Sequence, residues 1–392
     1  MGQLRPNTIR EILKVTEQPD VISFAGGLPA PELFPVEHIL TATERVLRET
    51  GAQALQYGPT EGFAALRGAF AAEMKQRHVA CSADQILVTT GSQQAIDLVG
   101  KVFLDEGDCV LTESPTYLSA IHSFQAYQVR FAAVPMDECG MIPEALAECI
   151  QRERPKLLYT ITNFQNPTGI TLTAERRAAI YALAARYGLV VVEDDPYGKL
   201  RYAGLDIAPL KALDNDGRVI YLSTVSKTIT PGLRIGWAVA NPEILRKLVI
   251  AKQGADLHSS SLDQRVVYRY LTDFDNQVQI ERIRHAYGER YGVMDSCLRA
   301  SMPAGFSWTH PEGGMFLWVS CPETVDTNEL MVAAMRQKVL FVPGQDFFPD
   351  ASGRHFMRLN FSNSSPARIR LGVQRLAEVC HNAVSAQVAP TA

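Results

Sequence analysis

Nowhere in these 392 residues does an uninterrupted apolar run approach the ~20 positions that a membrane-spanning helix needs. The opening segment, Met1 to Glu17, is polar and amphipathic and lacks the apolar core of a signal peptide. Neither charge dominates: 38 Lys and Arg stand against 42 Asp and Glu, a net charge of −4. That balance gives no electrostatic footprint for nucleic acid or for an anionic membrane. The seven cysteines are odd in number, scattered, and without any Cys-x-x-Cys pair. That pattern argues against a disulfide framework, and free thiols in a reducing cytoplasm are expected. None of the eight histidines has a ligand-like spacing such as His-x-x-x-His, so no metal site is predicted. No Gly-x-Gly-x-x-Gly follows a strand and no Gly-x-x-x-x-Gly-Lys occurs, which removes the dinucleotide and nucleotide-triphosphate readings. Repeats, charge runs and low-complexity linkers are absent as well.

What is present is an ordinary globular composition, 46% hydrophobic and 20% charged, on a chain long enough for two lobes. Its most informative stretch is Ser223-Thr-Val-Ser-Lys-Thr-Ile-Thr-Pro-Gly-Leu-Arg234. The apolar run Val219–Leu222 before it reads as a buried strand, and a second apolar run, Ile235 to Ala240, follows. A lysine among hydroxyls at the end of a buried strand is poorly placed for a surface ion pair. It is well placed to form a Schiff base with a carbonyl cofactor, with Thr224, Ser226 and Arg234 around that cofactor's phosphate. A merely polar strand–turn–strand connection is the competing reading.

Along the chain, Thr8 to Val15 predicts a short helix capped by Asn7 or Thr8. Ile22 to Pro29 predicts a strand running into the Gly26-Gly27 pair. Pro35 to Glu49 has helical periodicity, with Gly51 as its expected end. Ile86 to Thr90 predicts a buried strand that turns at Gly91-Ser92-Gln93-Gln94 directly into a helix, an arrangement that leaves helix-start amides free for an anion. Strands at 109–112, 129–134, 157–162 and 189–194 alternate with helices at 117–126, 143–152 and 174–187. The alternation predicts an α/β fold with a doubly wound, largely parallel sheet. Two strand ends carry polar punctuation, Asn163 to Gly169 and Glu193 to Tyr197, where ligands of open α/β sheets bind. A helix begins at Asn241-Pro242, and a long one from about Gln277 to Ala300 reads as a connector between lobes. Short strands (315–319, 339–342, 357–361) and helices (327–337, 366–381) then predict a smaller α+β lobe.

Taken in order, the Gly91 turn with Ser92, Tyr117, Asn166-Pro-Thr-Gly169, Asp194 three before Tyr197, Lys227 and Arg234 resemble fold-type I pyridoxal-phosphate enzymes. Within that group the chain is similar to class I/II aminotransferases, from Thr8 to about residue 380. The phrases Ser23 to Pro35, Gln56-Tyr-Gly-Pro-Thr-Glu-Gly62, Thr90 to Ala95 and Asn163 to Gly169 carry a closer likeness to the 2-aminoadipate/kynurenine branch.

The resemblance implies pyridoxal 5′-phosphate held covalently by Lys227, whose freed amine would carry the proton during the reaction. Asp194 would pair with the pyridine nitrogen. Asp195 is its neighbour and competitor, and Asp194 is preferred for its Asp-x-x-Tyr spacing. Tyr197 and Asn166 would bond the phenolic oxygen, and Tyr117 would stack on the ring. Ser92, Gln93, Thr224 (where the family usually has serine), Ser226 and Arg234 would hold the phosphate, with Tyr57 reaching in from a second subunit. Arg358 and Asn166 would take the substrate carboxylate, with Gly27 and Arg10 near its side chain. A large domain over 45–284 is implied, with a small one from 1–44 and 285–392. So is a cytoplasmic homodimer acting on an amino acid and a 2-oxo acid, with 2-oxoglutarate as acceptor. A lyase, racemase or decarboxylase on the same scaffold is the nearest rival. An effector-sensing domain of a transcription regulator is the rival of another class; it would have a DNA-binding domain ahead of it, and only about twenty residues precede Phe24.

Overall fold

The computed structural model describes residues 20–388; the predicted helix at Thr8 to Val15, and Arg10 within it, lie outside them. The strands in chain order are β1 (Ile22–Ser23), β2 (Ile86–Thr89), β3 (Cys109–Ser114), β4 (Arg130–Asp137), β5 (Gly140–Met141), β6 (Leu157–Thr160) and β7 (Val190–Asp194). They continue as β8 (Val219–Thr224), β9 (Gly236–Val239), β10 (Ser307–Trp308), β11 (Phe316–Ser320), β12 (Val339–Leu340), β13 (Val342–Pro343) and β14 (Phe356–Asn360).

An eight-stranded sheet in the order β2-β9-β8-β7-β6-β3-β4-β5 forms the centre. Strands β8, β7, β6, β3 and β4 are parallel neighbours. The largely parallel sheet expected from the alternation is therefore mixed at its ends. β9 runs antiparallel to both β2 and β8, and β5 antiparallel to β4. β2, β6 and β8 are buried at every position, which fits strands covered by helices on both faces. One layer is locked by Trp237 of β9 stacked on Phe70 at 4.0 Å between ring centroids.

A second, four-stranded antiparallel sheet has the order β10-β11-β14-β13. The strand expected over 339–342 is two short ones: β12 pairs with β1, and β13 with β14. The helix Asn276–Ser301 joins the two regions, in keeping with its length and periodicity. Arg284 donates to the Lys199 carbonyl at 2.8 Å, and Arg290, further along the same helix, donates to the Ser362 carbonyl.

Two further differences from the sequence reading are local. The helix expected to stop at Gly51 extends over Val36–Ala54, with its break at Thr50 (φ −138°). A helix at Ser261–Asp273, capped by the Ser260 side chain, is additional to those read from the sequence. Among the described residues no helix is long and apolar enough to cross a membrane, and all seven cysteines are unpaired.

Candidate active site

The topology brings the polar stretches to one edge. β2 is antiparallel to β9, which is antiparallel to β8, so β2, β3, β6, β7 and β8 all end on the same side. Beyond those ends come Thr90–Gln93, Tyr117, Asn163–Gly169, Asp194–Tyr197 and Thr224–Lys227, and Arg234 precedes β9 at that same edge. Residues 223–234 do connect two antiparallel strands, as the competing reading of that stretch has it. The same connection also carries the lysine.

Strand parity separates Asp194 from Asp195. Side chains alternate across a sheet, so Glu193 and Asp195 share one face and Asp194 occupies the other. Asp195 is fully engaged on its face: Arg77 and Tyr221 donate to Oδ2 at 2.5 and 3.0 Å, and Asn163 to Oδ1 at 3.0 Å. Burial pushes the Asp195 carboxyl up, but Arg77 and these hydrogen bonds outweigh it, and the net shift is downward. Asp194 is different. Its Oδ2 accepts a 2.7 Å hydrogen bond from Tyr159 of β6, whose register partner Val192 lies on the same face as Asp194. Its Oδ1 is buried and has no partner among the described residues. Burial, aided by the charge of Asp195 and opposed by the Tyr159 hydrogen bond, raises its pKa to about 7. An unpartnered buried carboxylate oxygen is costly unless a donor arrives, and a protonated ring nitrogen is such a donor.

Lys227 ends a short 3-10 turn, Val225–Lys227, whose Thr224 cap accepts from the Ser226 amide at 3.1 Å. Its Nζ donates to the Gly27 carbonyl at 2.9 Å. Burial, with the nearby Arg358 and Arg234 charges, lowers its pKa to about 8. Gly27 itself lies against Phe316: an added Cβ would sit 3.1 Å from that ring.

Arg358, central on β14, is buried and donates to Asn166 Oδ1 at 2.7 Å and to the Ala25 carbonyl at 2.6 Å. Its guanidinium lies over the rings of Phe316 and Phe347, 4.3 and 5.0 Å from their centroids. Burial draws its pKa down to about 10. Asn166 donates in turn to the Tyr197 hydroxyl at 3.4 Å. The Asn166 turn is anchored from below by Gln165, which bonds Glu113 at 2.9 Å and the Pro115 carbonyl at 2.8 Å. Tyr117 immediately precedes the helix Leu118–Gln125, and its hydroxyl feels the charges of Asp194, Arg358 and Arg234.

On the other side of Lys227 lies an anion cradle. The helix Ser92–Phe103 starts at Gly91 (φ 78°) with no side-chain cap, so its first amides are open. A Cβ on Gly91 would collide with Arg234 Nη2 at 2.4 Å, and one on Gly236 would strike the Ser92 amide nitrogen at 2.7 Å. Both glycines are what let strand, turn and guanidinium close up. Thr224 and Ser226 share a 2.8 Å hydroxyl contact beside it. The Gln93 side chain is turned away to Ser123 (2.7 Å), which leaves its backbone amide as its possible anion donor. Tyr57 is 80% exposed with its ring edge-on to His258, and no hydrogen bond links it to this cradle within the described residues of one chain. A cleft of about 670 Å³ lined by Arg77, Asn163 and Lys199 lies on the Asp195 side, and Lys227 is not among its lining residues.

Tyr159, Arg77, Phe316 and Phe347 join this site without having been marked by the sequence reading. Strand parity points to Tyr159 once β6 and β7 are known to be neighbours; nothing in the sequence marks the others.

A buried lysine of lowered pKa, an uncapped helix start with an arginine, and a carboxylate awaiting a donor define a site for a phosphate-bearing, ring-nitrogen cofactor on a fold of alternating strands and helices. The sequence profile of aminotransferase class I and II matches residues 19–376, and the chain belongs to that family. It is 45% identical over 381 residues to aromatic-amino-acid aminotransferase 1 of Thermococcus litoralis, covering 96% of this chain and 91% of that protein. It is also 45% identical over 378 residues to the 2-aminoadipate transaminase of Thermus thermophilus, covering 96% and 94%. The crystal structure of LysN, an α-aminoadipate aminotransferase from Thermus thermophilus complexed with N-(5′-phosphopyridoxyl)-L-leucine, matches with a TM-score of 0.92. The identity there is 42%, over 98% of this chain and 97% of that one. The protein is an aminotransferase with pyridoxal 5′-phosphate as its cofactor, and the free Asp194 Oδ1 and the open Gly91–Ser92 cradle fit the two ends of that molecule.

Proposed function

We propose that the enzyme moves the α-amino group of 2-aminoadipate, and of leucine and aromatic donors, to 2-oxoglutarate in two alternating half-reactions, as a cytoplasmic homodimer. The observation that carries the reading is the buried, unpartnered Asp194 Oδ1 at the sheet edge that also carries Lys227. Relatives named for aromatic amino acids and for 2-aminoadipate support the donor classes.

When bound, pyridoxal 5′-phosphate supplies an electron-withdrawing ring that acidifies the substrate Cα–H. Asp194 would keep a proton on the ring nitrogen. Tyr197 and Asn166 would bond the phenolic oxygen, Tyr117 would stack on the ring, and Ser92, the Gln93 amide, Thr224, Ser226 and Arg234 would hold the phosphate. Arg358, already aligned by Asn166, grips the substrate α-carboxylate with its planar fork. The Lys227 amine, largely neutral above pH 8, would take the proton from the substrate Cα and deliver it to the cofactor's C4′. Gly27 leaves room for the substrate side chain, and Arg10 reads a distal carboxylate when one is present.

An amino-donor panel against 2-oxoglutarate, scored by kcat/KM, tests this. Donor alone should convert the cofactor spectrum to its aminated form; a racemase or lyase would leave it unchanged at equilibrium. In the same panel Arg10→Gln should lower kcat/KM for 2-aminoadipate by ~10–100-fold, the size of one charged hydrogen bond, and leave leucine nearly unchanged. Equal losses on both donors would remove Arg10 from the specificity argument.

The dimer has its own test. Tyr57 is exposed in the single chain, as a residue serving a second subunit must be. Tyr57→Phe should weaken cofactor retention by ~0.5–3 kcal/mol, read from cofactor loss on dialysis. A fully active monomer in sedimentation and dilution assays contradicts the dimer.

A further inference from the structure

Behind the Gly91 turn sits a charged side chain that the chemistry above does not use. Lys252, near the end of the helix Pro242–Asp256, is completely buried. Its Nζ donates to Gln94 Oε1 at 2.6 Å, to both Asp256 oxygens at 2.8 and 2.9 Å, and to Ser259 Oγ at 3.0 Å. A Lys–Asp pair four apart on a helix is usually a surface pair of small effect. Here the ammonium is wholly out of water, and an apolar side chain would fill the same space without the desolvation penalty. The pair therefore calls for another explanation than stability.

We propose that Lys252 and Asp256 are positioning residues for the cofactor's phosphate, acting through Thr90 and Gln94; the inference rests on the reading that the Thr90–Gln93 turn holds that phosphate. The hydrogen bonds converge on Thr90, the first residue of that turn. The Thr90 amide donates to Gln94 Oε1 at 2.8 Å. The Thr90 hydroxyl reaches Asp256 Oδ2 at 3.0 Å and Ser259 Oγ at 2.9 Å. Gln94 Nε2 donates to Asp256 Oδ2 at 2.7 Å. An ammonium can only donate and a carboxylate can only accept, so the pair dictates which way the Gln94 amide faces. That orientation presents Oε1 to the Thr90 amide and fixes the peptide that leads into Thr90. The Thr90 carbonyl is then free to accept from Arg234 at 3.3 Å, which sets the guanidinium beside the turn.

The other end of the network holds a second loop. The Ser259 carbonyl accepts from Gln264 at 2.8 Å and from His258 Nδ1 at 2.8 Å. Gln264 Oε1 accepts from the Phe63 amide at 2.7 Å, and His258 Nε2 accepts from the Gly58 amide at 3.3 Å. One buried ammonium thus braces both the chain's own phosphate turn and the loop that carries Tyr57.

The test uses apoprotein titrated with pyridoxal 5′-phosphate and, separately, with pyridoxal, which lacks the phosphate. Binding is followed by absorbance, and the thermal shift given by inorganic phosphate is measured beside it. Lys252→Met should weaken pyridoxal 5′-phosphate binding about tenfold or more, as expected for losing control of a charge-assisted contact. Pyridoxal binding should change less than about threefold, and the thermal shift with phosphate should shrink. Parallel losses on both ligands, or no loss on either, would overturn the proposal. Should Lys252→Met fail to fold, Thr90→Val and Asp256→Asn, which each remove one link, are judged by the same two criteria. If the unmutated protein itself shows no preference for the phosphorylated ligand, the turn assignment fails first, and the brace with it.

Discussion

Lys227→Ala is expected to lower kcat by at least ~10²–10⁴-fold, the contribution of a positioned acid–base group, while the protein still binds pyridoxal 5′-phosphate through the cradle. The fold should tolerate the change, since among the described residues the Lys227 amine makes a single hydrogen bond, to Gly27. Burial disfavours the charged amine, and Arg358 and Arg234 add to that, so its pKa falls to about 8. For a lysine the lowered value means that the neutral, nucleophilic form appears at lower pH than usual. Capture of the cofactor by apoprotein should therefore rise with pH through about 8 and level off above it, in stopped-flow absorbance. A midpoint above ~10, where an ordinary lysine titrates, would contradict the electrostatic account. Borohydride reduction of the loaded enzyme should fix the cofactor to Lys227. Finding the label on Lys199 or Lys252 would move the site.

Much of this arrangement is readable from residue order, and the unreadable parts have physical causes. Spacing to Tyr197 favours Asp194, but the reason Asp195 is unavailable is a salt bridge with Arg77, 118 positions away in sequence. Local pattern carries no information about such a pair. The apolar run at 235–240 announces a strand but not its direction; β9 is antiparallel because the turn after Lys227 is too short for a crossover helix. The helix Ser261–Asp273 begins in a run of serines and keeps many polar residues, so its buried stripe of Gln264, Val266, Val267 and Tyr270 does not stand out. The strand expected at 339–342 is apolar throughout, and only tertiary pairing divides it between two sheets. Tyr57 and Arg10 are the assignments that rest most on resemblance. One needs a second chain, and the other lies outside the described residues.

Arg358→Met should separate catalytic need from stability. The guanidinium is fully buried, and no carboxylate pairs with it among the described residues. Its neighbours are an amide oxygen, a backbone carbonyl and two aromatic faces. Burial lowers its pKa to about 10, so the folded protein holds the charged form at a disadvantage relative to water. Methionine removes that disadvantage but leaves the Asn166 and Ala25 oxygens without a donor, about 1–3 kcal/mol each. The two effects oppose, and the thermal midpoint of the apoprotein should shift by only a few degrees. Activity should respond differently. A bidentate grip on a carboxylate comprises two charged hydrogen bonds of ~1.5–3 kcal/mol each, so kcat/KM for every α-amino acid donor should fall by ~10²–10⁴-fold. Arg358→Lys should recover only part of the loss, because a point charge cannot reproduce the planar fork. Primary amines without a carboxylate, however poor as substrates, should react equally with both variants and the parent. A large drop in thermal midpoint together with equal losses on amines and amino acids would make Arg358 a packing residue and leave the substrate carboxylate without a partner.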